Sequence, residues 1–134
     1  MGDVPSSGLQ LQSLVTSEGQ LRLSLEDVEN KALKPDQVLL QVEASPINPS
    51  DLGMLLGMAD LSSAQQGGSA ERPTVTADIP SGLVKHLAGR FDQAMPVGNE
   101  GGGVVIAAGE SDEAQSLLGK TVGALGGGMY GQYR

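Results

Sequence analysis

The chain contains no cysteine. That excludes disulfide staples, thiolate nucleophiles and cysteine-ligated metal, and it is compatible with a reducing compartment. Tryptophan is also absent, and Phe91, Tyr130 and Tyr133 are the whole aromatic complement. The core must therefore come from Leu, Val, Ile, Ala and Met, without the large burial that each ring brings. Positive charge is scarce: eight Lys and Arg stand against sixteen Asp and Glu, for a net charge of −8. The basic residues never cluster, which argues against a nucleic-acid backbone as partner. No apolar run approaches the roughly 20 residues needed to span a bilayer. The N-terminus shows no basic stretch leading into an apolar one, so no secretory signal is visible. These absences together give the expectation of a soluble, cytoplasmic protein. The single histidine, His86, supports no Ser/His/Asp arrangement and reads as a solvated or packed helix residue.

What is present fits one domain of 134 residues. Its hydrophobic share of 39% lies below the usual range of about 45–50%. Residues 9–15 alternate apolar and polar, as a half-buried strand does, and residues 21–25 alternate again after the turn at Ser17–Gln20. The pair reads as a hairpin. After a connector over 28–35, Val38, Leu40, Val42 and Ala44 place a third strand's apolar face. Pro49 suits a first helical position, with Asn48 or Ser50 as cap and Asp51 at the positive end of the dipole, so a short helix is expected over 51–56, ending near Gly57. Residues 59–76, rich in Ser, Ala, Gln and Gly, read as a mobile loop. A helix capped by Ser81 follows to Phe91, then a strand over 98–109, a helix over 112–118 ended by Gly119, a strand over 120–125, a glycine turn, and a last strand over 129–134. The sequence ends while that strand is still running, which gives the expectation of a piece of a longer protein. The pattern predicts a mainly β fold with a few short helices.

One segment stands out: Pro96-Val97-Gly98-Asn99-Glu100-Gly101-Gly102-Gly103-Val104-Val105. A carboxylate sits among glycines at the mouth of an apolar strand. Gly101 to Gly103 permit unusual φ values and close approach by another group. Neither they nor Gly126–Gly128 open a helix, so neither run is a dinucleotide or phosphate loop.

Three separated pieces resemble one family. Residues 42–52 resemble the V-x-A-x-x-[IV]-N-P-S-D element, and residues 96–105 resemble P-x-x-G-x-E-G-x-G-x-V. Gly119 to Val122, with Gly128 to Tyr133, resembles G-x-x-V … G-x-[YF]-A-E-[YF]. In this order they resemble the N-terminal part of the medium-chain dehydrogenases/reductases, in the branch of zinc-free quinone oxidoreductases and enoyl reductases. The resemblance covers residues 9–58 and 96–134, and leaves 59–95 as a long inserted segment where the family has a shorter connection. It implies that residues 1–134 form a GroES-like, partly open β-barrel on the substrate side. It also implies a Rossmann domain, absent from this chain, that binds NADPH in a full-length parent.

The resemblance further implies site residues. Zinc-dependent relatives carry a Cys at the place of Asn48 and a His at that of Asn99, so no zinc is expected. Asn48 then becomes a polar contact for nicotinamide and substrate carbonyl, or simply a helix cap. Asp51 is cleft support or a first-turn acid. Asn99 and Glu100 flank the same implied cleft, Glu100 orienting its neighbours or serving as a paired structural carboxylate. The enoyl reductases' Tyr, one turn after this helix, is replaced by Ala59, which removes a proton donor. Tyr130 and Tyr133 are strand residues in the family. The resulting expectation is hydride transfer from NADPH to a quinone, enone or other carbonyl-bearing small molecule, with the chain inactive alone and the parent a homodimer. A non-enzymatic GroES-like binding or assembly module is one alternative. A zinc-type alcohol dehydrogenase is the other.

Overall fold

The computed structural model describes residues 3–134. It is mainly β, with antiparallel pairing between its strands. In chain order the elements are β1 (Ser7–Val15), β2 (Gln20–Glu29), β3 (Val38–Ala44), α1 (Pro49–Leu55), β4 (Asp60–Gly68), β5 (Pro73–Asp78), α2 (Ser81–Val84), a 3-10 helix (Lys85–Arg90), β6 (Met95–Pro96), β7 (Glu100–Ala108), α3 (Asp112–Leu117) and β8 (Thr121–Leu125). The chain divides into two compact units. One holds the stretch up to Gln10 with Asp27–Pro46 and Gly98–Arg134, the other Leu11–Glu26 with Ile47–Val97.

In the first unit β7 lies between β3 and β8. The register sets Leu40 opposite Val105 and Gly102 opposite Gly123. Leu39, Leu40, Val105, Ala114 and Met129 are buried here. Gly103 faces β3 at such short range that a Cβ would overlap the Gln41 carbonyl oxygen. A Cβ on Gly101 would stand 2.7 Å from Ser45 Oγ and 3.0 Å from the Ala44 carbonyl. Gly101 and Gly103 are thus required by strand approach. None of Gly101, Gly102 and Gly103 takes a positive φ, so the expected φ freedom is not what they supply.

The second unit is built on β4, β5 and β6 with the parts of β1 and β2 that it contains, in the order β4-β5-β2-β1-β6. Val15, Leu21 and Ile79 form its buried cluster, with Ala59, Val84, Leu87 and Phe91 packed on it. Full burial of an aliphatic side chain such as Val15, Leu21 or Ile79 contributes about 1.5–3 kcal/mol.

Several expectations need correction. Residues 59–76 are not a loop but a hairpin, β4 paired with β5. β4 is exposed along almost its whole length, so it shows no alternation, and β5 turns Thr74 and Thr76 inward while Val75 is exposed. Local bonds finish the hairpin: Asp60 Oδ1 accepts from the Ser62 N–H at 3.0 Å and hydroxyl at 2.6 Å, and Ser63 Oγ accepts from the Asp78 N–H at 2.7 Å. The second strand runs on to Glu29, taking in the first two residues of the connector expected over 28–35. The helix from Ser81 is four residues long before it tightens to 3-10 geometry, and Pro80, not Ser81, occupies its cap position. Gly82 and Gly89 weaken a longer helix. Residues 129–134 form no strand, because they divide their pairing: Gly131 bridges Gln10 while Tyr133 bridges Gln41.

Two outcomes test this description. Gly103→Ala should lower unfolding stability in urea by about 1–3 kcal/mol through overpacking, whereas Gly123→Ala, with nothing within 4 Å of its Cβ, should stay within about 0.5 kcal/mol of wild type. The Asp60 carboxyl is held below its ordinary value of 3.8 by the Ser62 hydroxyl and then the Ser62 N–H. A lowered carboxyl pKa favours the folded turn above the ordinary value and loses it as pH falls through the folded one. The Ser62 amide resonance should therefore titrate with a midpoint under 3.8; a midpoint at or above that value contradicts the geometry.

Candidate functional site

Asn48 and Asp51 come together at the start of α1, in the second unit. Pro49 fixes the first helical φ, and Asn48 before it is extended (φ −91°, ψ 157°). The two side chains make a capping box, in which Asp51 Oδ2 accepts the Asn48 N–H at 2.8 Å. Asp51 is 1% exposed. Its carboxylate thus satisfies an end donor and favours the helix dipole. An Asn carboxamide carries two N–H donors beside its acceptor oxygen, so capping through the oxygen is chemically compatible with donation to a ligand.

The other end of α1 has partners that the sequence did not signal. Ser13, wholly buried on β1, donates its hydroxyl to the Met54 carbonyl at 2.6 Å, and Arg90 Nη2 donates to Ser13 Oγ at 2.9 Å. Burial pushes the Arg90 guanidinium below its ordinary pKa. Polar residues 41 and 77 positions away from their partners leave no local motif to read.

Asn99 and Glu100 lie in the first unit. The Asn99 carbonyl accepts the Gly126 N–H at 2.8 Å, and the Asn99 residue is exposed. Glu100 opens β7, half-buried, opposite Leu125 of β8. It borders a groove of about 630 Å³ whose surfaces include Pro46, Gly101, Gly102, Gly123 and Leu125. Leu125 is 84% exposed, and the space above Gly123 is open. The floor is bare strand backbone, the flanks are mostly apolar, and among the described residues Glu100 brings the one ionisable side chain that lines it. Its rim is tied down: Ser45 Oγ donates to the Met129 carbonyl at 2.8 Å and the Tyr130 hydroxyl to the Pro46 carbonyl at 2.9 Å. Tyr130 therefore acts as an anchor of the rim. Tyr133 packs its ring on Gly8. His86 is exposed on the 3-10 helix. Among the described residues no group of three or more His, Asp or Glu side chains is arranged to hold a metal ion.

A scan against protein-family models finds no match. A search of curated proteins finds none either. Among solved structures the chain is similar to a protein of Mesorhizobium loti that bears the provisional name NADPH:quinone reductase, with a TM-score of 0.55 and 23% sequence identity. The match covers 98% of this chain and 35% of that one, so the chain spans about a third of that protein's length. The likeness shows the fold: a mainly β arrangement of antiparallel sheets with short helices, the fold class expected from the sequence.

Asp51→Ala removes one half of the capping box and should cost about 1 kcal/mol, the usual worth of a cap. Urea unfolding checks the size, and faster amide exchange confined to the first turn of α1 checks the place.

Proposed function

We propose that this chain is the substrate-side domain of an NADPH-dependent, zinc-free oxidoreductase that reduces quinones or activated C=C bonds by hydride transfer. The observation that carries this reading is the likeness over nearly the whole chain to a fold found in a named quinone reductase. The glycine-floored groove supports it. A flat, electron-poor ring can lie against bare backbone where any larger side chain would lift it off, and the groove offers no cation to draw a carboxylate or phosphate.

The dinucleotide does not fit the glycines of this chain. Gly101 to Gly103 lie within strand β7, no helix begins among the described residues after Gly128, and the dinucleotide fingerprint sets its glycines at a helix N-terminus. The proposal therefore assigns NADPH to a Rossmann domain of a full-length parent and gives these residues the task of receiving substrate. Asn48 is the proposed polar contact for the nicotinamide and substrate carbonyl, with Asp51 holding it through the capping box. Asn99 and Glu100 are the proposed support of the groove. With amides at 48 and 99 in place of thiolate and imidazole, the reading needs no zinc. The parent is proposed to be a cytoplasmic homodimer, its small-molecule substrate bound without nucleic acid or membrane.

Full-length parent supplied with NADPH and 1,4-naphthoquinone should oxidise the nucleotide, while residues 1–134 alone should not. The space at the Gly123 Cβ is open, so Gly123→Val, which adds bulk in the groove, should lower kcat/KM by about tenfold, a loss of about 1.4 kcal/mol in transition-state binding, with Tm shifted by no more than about 2 °C. Turnover by residues 1–134 alone, or an unaffected Gly123→Val enzyme, overturns the reading.

A further inference from the structure

We propose that Arg90 is a positioning residue for Asn48, acting through Ser13 on the far end of α1; this inference rests on the reading of Asn48 as a site residue. The helix is seven residues long, with no basic side chain in its last turn. So short a helix has little stability of its own. Its last carbonyls need donors from outside.

Ser13 supplies one of those donors, and Arg90 decides which way it points. A serine hydroxyl has a single proton and can also accept, whereas a guanidinium can only donate. With Arg90 Nη2 donating to Ser13 Oγ at 2.9 Å, the serine proton is committed to the Met54 carbonyl at 2.6 Å. The two bonds in series aim the positive end of the Ser13 O–H dipole at a carbonyl near the negative end of α1, where it is favourable.

The arrangement is costly, which is why it asks for a role. Arg90 Nε is buried and has no hydrogen-bond partner among the described residues. Ser13, at 0% exposure, is a hydroxyl set among core residues. A buried donor left unmade is a penalty that a core leucine in the same place would avoid. That penalty is offset by holding α1 at both ends: the capping box fixes the first turn, and the Arg90–Ser13 pair fixes the last. A rigid helix keeps the Asn48 carboxamide within the tolerance that a reacting geometry demands.

Amide exchange by NMR on the 134-residue chain, paired with kinetics of the full-length parent, tests this. Arg90→Met should speed exchange of the α1 amides by about tenfold while those of β3 and β7 stay unchanged, and Arg90→Lys, which restores a cationic donor, should recover most of the protection. Ser13→Ala is the second variant; it should loosen α1 in the same way with Arg90 intact. In the parent, Arg90→Met should lower kcat by about tenfold with KM held within about twofold, because misplacement of a contact costs rate before it costs binding, and Arg90→Lys should rescue it. Unchanged α1 exchange, uniform acceleration over both units, failed rescue by Lys, or a loosened helix with full kcat each overturns the proposal. An inactive wild-type parent overturns the functional reading and Asn48's role with it, a failure separable from an active parent indifferent to Arg90.

Discussion

The close approach of β3 to β7 is the constraint on which the first unit depends. Gly103 meets the Gln41 carbonyl with no room for a Cβ, and Gly101 meets Ser45 and Ala44 almost as closely. That contact sets the register in which Leu40 faces Val105 in the core. The same register brings Gly102 opposite Gly123 and leaves the groove floor without side chains. One sequence feature thus does two things: the odd-numbered glycines permit the packing, and the Gly102–Gly123 pair leaves the surface flat.

The second unit solves a different problem. Its helix α1 is too short to hold itself, and its ends are closed by unlike devices. The first is local, a capping box between residues three apart. The second reaches across the fold, from Met54 to Ser13 to Arg90. Local and distant bonds thus converge on the element that presents Asn48, the residue most directly tied to the proposed chemistry.

The sequence was legible where burial repeats with a fixed period or a cap is local. The bounds of β3 matched the expected strand, although Leu39 is buried and Ala44 exposed, so its apolar face is not the one expected; α1 was found from Asn48, Pro49 and Asp51 but spans Pro49–Leu55, not 51–56. The β4–β5 hairpin was not legible, because an almost wholly exposed strand has no alternation and β5 turns threonines rather than Val75 inward. Residues 129–134 failed for another reason: the strand-like pattern is real, but its partners change from β1 to β3 part-way. Residue type and neighbours made the Asn48–Asp51 cap and the position of Glu100 legible, whereas their proposed roles at a site come from the family resemblance. Ser13 and Arg90 could not, since a serine in a strand and an arginine after a glycine carry no local sign of a bond spanning 77 positions.

The proposed role of this chain is to provide a surface for substrate and not a seat for the nucleotide. Amide chemical-shift mapping of the 134-residue chain, titrated with 1,4-naphthoquinone and separately with NADPH, tests it most directly. The quinone should move the resonances of Gly101, Gly102, Gly123 and Leu125, and NADPH should leave the spectrum unchanged. Saturable binding of NADPH to this chain, or a quinone titration that leaves those four amides in place, would contradict it.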